Sequence, residues 1–349
     1  MPKIIDLSEI KQTIDLVDKL GFNKAADKLG KSYGAVYAIY KKYKSENKID
    51  NIAKAPFVVQ DTPEEELSWQ ELVDRSVKRW KRKKETHDAT KVIDVELKEK
   101  KPFALCFIGD PHIDDDGCNW GRLKADMDIM ARTPGMIGIC VGDITNNWVG
   151  RLMKKYADQE TTRKQAEKLI EWFLTEAGVY WAAVIGGNHD IWNTDGGDIN
   201  KFIFRSQAGV YRNHGVRLQL HIPGGKTIKV NCRHDFAGHS QWNEAHAMSK
   251  AARFGVDDIY VAGHRHVSGY QIVKNHESQR ISHAVRVAGY KEIDDYAESK
   301  SLREHNIFES MAFVVDPGRQ DPLRFIKPVF SMDEAAEELT YKRKVTSNS

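Results

Sequence analysis

Several features that assign chains to common classes are scarce or missing from this sequence of 349 residues. It has no apolar run near 18 residues and no apolar segment after a basic start, so it predicts neither a membrane span nor a signal peptide. The four cysteines, Cys106, Cys118, Cys140 and Cys232, include no CxxC pair. Three of them lie in predicted core strands, where a free thiol packs as a small apolar group. We therefore expect a reduced, cytoplasmic protein.

An excess of charge of one sign is also missing. The 53 lysines and arginines nearly balance the 50 aspartates and glutamates, and the net charge is +3. Any contact with nucleic acid must therefore come from local basic patches. The apolar content of 41% is ample for a sizeable core, and the length suffices for two domains.

What the sequence does contain is a series of short apolar runs that end in polar residues. Five runs are predicted as buried strands, at residues 103–108, 136–141, 181–185, 228–232 and 259–262. The residues that follow them are, in order, Gly109-Asp110-Pro111-His112, Gly142-Asp143, Gly187-Asn188-His189-Asp190, Arg233-His234-Asp235 and Gly263-His264-Arg265-His266. Ligands of α/β proteins gather outside the carboxyl ends of strands. We therefore expect these five strand ends to form one site.

The side chains at these strand ends are oxygen and imidazole donors, with no thiolate. The predicted metal ligands are Asp110, His112, Asp143, Asn188, His234, His264 and His266. Such a set suits Mn, Fe, Zn or Ni better than calcium. Seven donors exceed one site, whereas a bridging carboxylate would accommodate two ions about 3.5–4 Å apart, as in two-metal hydrolytic sites.

The order of these motifs, DxH, GD, GNHD, H and GHxH, resembles the calcineurin-like metallophosphoesterase family over roughly residues 101–330. Within that family the chain is most similar to phage and prophage phosphoesterases with an N-terminal helix-turn-helix. The resemblance implies an α/β fold of two packed sheets flanked by helices, and a hydrolase with two divalent transition metals, preferably manganese. It also implies ligand roles: Asp143 as the bridge, Asp110, His112 and His266 at the first metal, and Asn188, His234 and His264 at the second.

Two further residues receive catalytic roles from the resemblance. His189 is not a ligand in the family, and it is predicted to be a general acid or a clamp on the transition state. Asn146 stands where many relatives have Asp or His to orient the catalytic histidine, and it can hydrogen-bond an imidazole or a phosphate without ionising. The absence of an arginine just after this position, and the presence of Asp190, favour the nuclease-like branch over phosphoprotein phosphatases. His239 is either a neighbour of the ligands or a competitor of His234.

Residues 1–50 are predicted to form a small all-α domain with helices at 7–20, 24–29 and 33–44. Asn23 and Ser32 are the predicted caps, and Gly30 makes the turn of a pattern that resembles a helix-turn-helix. The third helix would offer Tyr33, Gly34, Tyr37 and Lys41 to a major groove, with Lys24, Lys28, Lys31, Lys42 and Lys44 near phosphates. Among these, Lys31, Tyr33, Tyr37 and Lys41 are the predicted nucleic-acid contacts. The alternative is a helical module that docks another protein.

The remaining segments are a connector and a tail. Residues 51–100 are predicted to be a charged linker, a helix from a capping box at 62–65 to about Lys84, and an edge strand at 92–97. The end of that helix is basic, which indicates either a solvated face or a surface that follows phosphates. Residues 101–330 form the predicted catalytic domain, with Gly196-Gly197-Asp198 at a pocket rim. Residues 331–349 form a predicted C-terminal helix and a frayed tail.

These patterns predict a binuclear metal-dependent phosphodiesterase or nuclease that acts on DNA and is brought there by its N-terminal domain. Four tryptophans near the motifs, Trp120, Trp148, Trp192 and Trp242, either stack on bases or simply pack. One alternative is a small-molecule or nucleotide phosphoesterase with a docking helix-turn-helix. The other is a DNA-binding accessory protein with a vestigial metal site. No membrane partner is expected.

Overall fold

The computed structural model describes residues 7–43, 67–192, 198–293 and 306–347. The chain divides into two units, Met1–Lys83 and Lys84–Ser349. No helix in the described residues is long and apolar enough to cross a membrane.

The N-terminal unit begins with three short helices, α1 (Leu7–Leu20), α2 (Phe22–Leu29) and α3 (Tyr33–Tyr43). Ala25 and Val36 are fully buried where these helices meet, because an alanine side chain lets α2 approach its neighbours closely. Gly30 ends α2 in a left-handed conformation (φ 62°), as predicted. The hydroxyl of Ser32 accepts a hydrogen bond from the backbone N–H of Ala35 at 3.3 Å, which caps α3.

The predicted start of α2 was wrong. The helix α2 begins at Phe22, two residues before the predicted start, so Asn23 lies inside the helix and does not cap it. Gly21, with φ 77°, takes the cap position because it adopts a backbone conformation that asparagine reaches less easily. Leu20, the last residue of α1, is exposed.

A long helix, α4 (Trp69–Ala89), follows in the described part of the chain. Ser68 and Glu71 form a reciprocal capping box, in which Ser68 Oγ accepts from Glu71 N–H and Glu71 Oε2 accepts from Ser68 N–H. The capping box predicted at 62–65 lies outside the described residues. The helix ends five residues beyond the predicted end at Lys84, and none of its residues is buried.

The second unit contains two six-stranded mixed sheets. The first has the order β12-β11-β2-β3-β4-β5 and the second the order β1-β6-β7-β8-β10-β9. The strands are β1 (Ile93–Glu96), β2 (Phe103–Ile108), β3 (Met136–Cys140), β4 (Trp181–Gly186), β5 (Val210–Asn213), β6 (Gly215–His221), β7 (Thr227–Arg233), β8 (Ile259–Ala262), β9 (Gly269–Lys274), β10 (Ile281–Arg286), β11 (Met311–Val315) and β12 (Ile326–Val329). The predicted edge strand is confirmed as β1, and β11 and β12 form an antiparallel pair.

Helices accompany the sheets between and after the strands. They are α5 (Trp120–Arg132), a 3₁₀ helix (Gly150–Ala157), α6 (Arg163–Glu171) with a π-helical extension (Trp172–Glu176), α7 (Ile199–Phe204), α8 (His246–Phe254), α9 (Pro322–Phe325) and α10 (Met332–Ser347). The short helix α9 begins at Pro322 because Asp321 caps it and proline fits its first position. The C-terminal helix α10 is not peripheral, since Met332, Ala335 and Leu339 are fully buried in the core.

The core lies on both sides of the first sheet. On β2, Phe103, Leu105 and Phe107 pack toward strands of the second sheet, while Ala104 and Cys106 pack in a cluster with helices α5 and α10. A strand that is buried on both faces has a continuous apolar sequence, which explains the run FALCFI. The predicted α/β fold of two sheets flanked by helices, with a small helical region at the N-terminus, is confirmed. All four cysteines are free and buried.

Candidate metal centre

The loops after β2, β3, β4, β7 and β8 bring the predicted ligands together. Three groups of His and Asp side chains in the described residues place their potential ligand atoms within 4.8 Å of one another. They are Asp110, His112 and His266; His112, Asp143 and His189; and Asp143, His234 and His264. The ligands come from five separate segments of the sequence, so the centre exists only in the folded chain.

The first group has the spacing of ligands around one ion. His112 Nε2 and His266 Nε2 are 3.2 Å apart. Two nitrogens bound to one ion at about 2.0–2.1 Å would lie roughly 3 Å from each other. Asp110 Oδ1 and His112 Nδ1 are buried and have no hydrogen-bond partner. Unpaired buried polar atoms of this kind fit a site built for a cation.

In the third group, together with Asn188, one ring nitrogen has three ligand atoms around it. His234 Nε2 lies 2.8 Å from Asn188 Oδ1, 3.0 Å from His264 Nδ1 and 3.1 Å from Asp143 Oδ2. A single N–H on that nitrogen cannot satisfy all three atoms, whereas a metal ion can bind them together. His234 Nδ1 faces the carbonyl oxygen of Val141 at 2.9 Å, a contact that orients the ring.

Asp143 belongs to two of the groups. It lies within reach of His112, a predicted ligand of the first metal, and of His234 and His264, predicted ligands of the second. It is also buried. This is the position that a bridging carboxylate needs.

The backbone at the centre is strained in a systematic way. Eight non-glycine residues among those described have a positive φ, and five of them are predicted ligands: Asp110, His112, Asp143, His264 and His266, with φ between 41° and 71°. A left-handed conformation at a non-glycine residue costs about 1–3 kcal/mol and persists where the surrounding structure imposes it. The conformation aims successive side chains at one point.

Glycines let the loops approach the ligands. A Cβ atom on Gly187 would lie 2.2 Å from Asp143 Oδ1, and one on Gly263 would lie 2.0 Å from Asp110 Oδ2. Both distances are far below van der Waals contact, so a side chain at either position would displace the carboxylate. The backbone N–H of His264, next to Gly263, donates to Asp110 Oδ2 at 2.6 Å. The glycines of the motifs therefore leave room for the carboxylates of Asp143 and Asp110.

Asp190, in the loop after β4, connects that loop to the loop after β3 and to helix α7 behind the ligands. Its buried carboxylate accepts hydrogen bonds from the backbone N–H groups of Asp143 (2.7 Å), Ile144 (3.1 Å) and Gly187 (2.8 Å), and from Asn200 Nδ2 (2.7 Å). This role was not predicted from the sequence, where only its place in the GNHD motif marks it.

Charge at the centre favours a cation. Burial, with the nearby His266 and His189, holds the pKa of His112 well below its usual value, so the ring is neutral and able to bind a metal. Burial raises the pKa of Asp110 well above its usual value. Burial would lower the pKa of His234, but its hydrogen bond to Asp143 and the charges of Asp110 and Asp143 raise it to about 10. The carboxylates thus draw one positive charge into the cluster, either a proton on His234 or a cation.

His189 lies beside the first group and is held by the backbone. Its Nδ1 is 2.5 Å from the carbonyl oxygen of Asn146, so Nδ1 carries the proton, and Nε2 is the atom that gains or loses one. Its ring packs against Trp192 (4.3 Å between centroids) and Trp148 (5.5 Å). Burial lowers the pKa of His189. The backbone N–H of His189 donates a hydrogen bond to Asp143 Oδ1 at 2.9 Å, which connects His189 to the candidate metal centre.

Asn146 contacts His189 through its backbone carbonyl oxygen and not through its side-chain amide. The side-chain amide does not contact His189 but donates to Asp115 Oδ2 (2.7 Å) and Gln159 Oε1 (3.2 Å). The carbonyl oxygen of Asn146 orients the imidazole instead. A carbonyl cannot be recognised from a side-chain motif, which is why the sequence pointed to the amide.

Other residues singled out in the sequence lie away from the centre. His239 is exposed, 3.5 Å from Asp235, and belongs to none of the three groups, whereas His234 belongs to one. Trp120 packs on Trp172, and Trp242 is almost fully exposed. Gly196 and Gly197 lie outside the described residues.

The predicted nucleic-acid contacts of the N-terminal unit have mixed surroundings. Tyr33 and Tyr37 are exposed, stacked at 6.2 Å, and both pack on Phe22. Lys41 is exposed on the same helix. Lys31 forms an ion pair with Glu9 at 2.5 Å, which reduces the charge it offers to a phosphate.

Comparison with known proteins gives little beyond this geometry. No family model and no curated protein sequence matches the chain. Among solved structures, it is similar to vacuolar protein sorting 29 from Cryptosporidium parvum (13% identity, 62% of this chain and 86% of that chain, TM-score 0.35). It is also similar to the Pseudomonas putida nuclease MPE (13%, 64% and 87%, TM-score 0.32) and to Haemophilus influenzae NAD nucleotidase (9%, 66% and 49%, TM-score 0.34). Identities and TM-scores this low assign neither a family nor an activity to the chain.

Proposed function

We propose that this chain is a binuclear metal-dependent phosphoesterase, and specifically a phosphodiesterase that cleaves DNA. The observation that carries the proposal is the position of Asp143, within ligand distance of both His112 and His234. One carboxylate between two sets of histidines is the arrangement that two-metal hydrolases use on phosphate esters. The unpaired buried atoms of Asp110 and His112 support the same reading.

The chain and its metals have separate tasks in this proposal. The metals, manganese preferred over iron, zinc or nickel, supply Lewis-acid stabilisation of the phosphate and activation of water. His189 supplies a proton at Nε2 to the departing oxygen, because the Asn146 carbonyl holds Nδ1. Asp190 keeps the loops of Asp143 and Gly187 in register. Trp148 and Trp192 both pack against the His189 ring.

DNA is the proposed substrate because basic and aromatic groups recur outside the centre. Tyr33, Tyr37 and Lys41 share the exposed side of α3, in the order expected of a recognition helix. A small-molecule or nucleotide phosphoesterase with a docking N-terminal unit is the second candidate. It is favoured by the ion pair that engages Lys31. A vestigial metal site is disfavoured, because every predicted ligand contacts another or shares its group.

The test combines metal analysis with a cleavage screen. We expect wild-type protein, saturated with manganese and desalted, to hold two ions per chain by elemental analysis. The isosteric Asp143→Asn variant should lose most of both ions and nearly all turnover, because one ligand serves both. Single-stranded DNA, duplex DNA, mononucleotides and an aryl phosphodiester serve as substrates.

The outcomes separate the candidates. Cleavage of DNA with two ions supports the full proposal. Hydrolysis of mononucleotides or the aryl diester without cleavage of DNA supports the small-molecule enzyme. Binding of no more than one ion under saturation would overturn the bridging role of Asp143.

A further inference from the structure

The helix α4 carries an uncovered apolar stripe. Trp69, Val73, Val77 and Trp80 follow one another by four, four and three residues, so they share one face, and Leu72 lies beside them. Their exposed fractions run from 46% to 70%, and no residue of this 21-residue helix is buried. Isolated helices owe little stability to propensity alone and usually depend on packing of an apolar face. The stripe therefore requires a partner.

The stripe of one α4 helix can pack against the same stripe of a second, antiparallel α4 helix. If two copies of α4 lie antiparallel with Trp69 level with Trp80 of the other copy, Leu72 becomes level with Val77 of the other copy. The same register repeats in both directions, because a two-fold axis passes between Asp74 and Arg75. An interface of this kind is isologous, so each residue contributes to it twice.

Charge along the helix favours the same pairing. Within α4, Glu71 and Asp74 come first, Arg75, Lys78, Arg79, Lys81, Arg82, Lys83 and Lys84 follow, and Glu85 and Asp88 lie at the end. In the register above, antiparallel pairing brings Glu71 level with Lys78 and Asp74 level with Arg75 of the other copy. Parallel pairing would place like charges together, at an electrostatic cost.

Other partners fit the pattern less well. A phosphate backbone or an anionic membrane would attract the basic end of α4 and repel its acidic end. A phosphate backbone would also leave Trp69, Val73 and Trp80 in contact with water. A second copy would cover the apolar stripe and would also bring opposite charges together.

We propose that α4 pairs antiparallel with α4 of a second copy of this chain, through the stripe of Trp69, Leu72, Val73, Val77 and Trp80. The dimer is independent of the proposed phosphodiesterase activity, because none of these residues belongs to the metal centre. It places two N-terminal units in one particle, the arrangement by which helix-turn-helix dimers engage paired half-sites.

The test is sedimentation velocity of the full-length protein over a concentration series. Val77→Gln replaces a stripe residue, and Thr86→Gln, the matched control, replaces a β-branched residue that is exposed on the same helix outside the stripe. We expect a dimer for wild type and Thr86→Gln, and a dissociation constant at least about tenfold higher for Val77→Gln, since each dimer loses two apolar contacts. Added salt should weaken the dimer. Turnover of an aryl phosphodiester per chain should be the same in all three proteins.

Three results would overturn the proposal. One is a wild-type monomer at all concentrations, with α4 instead binding duplex DNA or anionic vesicles in a way that Val77→Gln reduces. Another is equal weakening by Val77→Gln and Thr86→Gln, which would indicate a general effect on the helix. The third is a dimer that salt strengthens, which would indicate parallel helices with their basic ends together.

Discussion

Substitution of Gly263 by alanine should remove one metal ion while the fold survives. Gly263 does not require a positive φ, so alanine meets only a steric obstacle there. The new Cβ would lie 2.0 Å from Asp110 Oδ2 and 3.2 Å from a methyl group of Val141. Carbon and oxygen atoms normally approach no closer than about 3.3 Å, so the carboxylate must retreat by about 1.3 Å. The perturbation therefore acts on one ligand of the first metal.

The size of that displacement decides the outcome. Ligand distances in metal sites hold within about 0.2 Å, so a carboxylate displaced by more than 1 Å no longer binds. Loss of a supporting contact alone weakens metal binding about 10–100-fold, and loss of a ligand should exceed that range. Overpacking costs about 1–3 kcal/mol, which is less than the usual stability of a domain. We therefore expect a folded protein with one tightly bound ion.

The assay is isothermal titration with Mn²⁺, followed by elemental analysis of desalted protein. The matched control is Gly121→Ala in α5, where the nearest atom, Asn119 Oδ1, would be 3.4 Å away, an ordinary contact. That variant should bind two ions like wild type and be slightly more stable, because alanine favours helix. If Gly263→Ala also bound two ions with unchanged affinity, the assignment of Asp110 as a ligand would be wrong.

Three further predictions concern catalysis, binding and pH. His189→Ala should keep both metals and lower turnover roughly 10²–10⁴-fold on esters whose leaving group needs a proton, with a smaller loss on activated aryl diesters; equal losses on both would remove the general-acid role. Deletion of residues 1–50 should leave aryl-diester turnover unchanged, lower duplex affinity and flatten its salt dependence, because fewer phosphates are neutralised; an unchanged salt slope would indicate a protein-docking unit. Burial lowers the pKa of His283 to about 4, so the unfolded chain, with a usual histidine pKa near 6.5, binds more protons between these values. Stability measured by urea unfolding should therefore fall as pH decreases from about 6.5 to 4, less steeply in His283→Asn, and identical slopes would contradict this reasoning.

The metal centre was more predictable from the sequence than the surfaces around it. Each ligand motif follows an apolar run, and the ends of neighbouring strands lie close together, so Asp110, Asp143 and Asn188, which follow β2, β3 and β4, could be grouped from the sequence. The roles of Asp190 and of the Asn146 carbonyl could not be predicted in this way, because they depend on backbone atoms that loops bring together in space. The sequence carries no local signal for such contacts.

The start of the second helix was mispredicted for a related reason. Asn23 has good capping chemistry, but a helix starts where the backbone allows it. Gly21 occupies the cap position of α2. Capping preferences are worth about 1 kcal/mol, a quantity that tertiary packing easily overrides.

The left-handed backbone at Asp110, His112, Asp143, His264 and His266 makes the metal supply a determinant of how long the protein lasts. These conformations oppose folding, and binding of the proposed ions would offset their cost. A ligand present at 100 times its dissociation constant stabilises the folded state by about 2.7 kcal/mol. We therefore expect the melting temperature to rise with the concentration of free Mn²⁺ and to drop in a chelator, also in His189→Ala, which is expected to keep both metals. Under the proposed function, a cell short of the metal would lose the protein itself through unfolding and proteolysis, in addition to losing its catalysis.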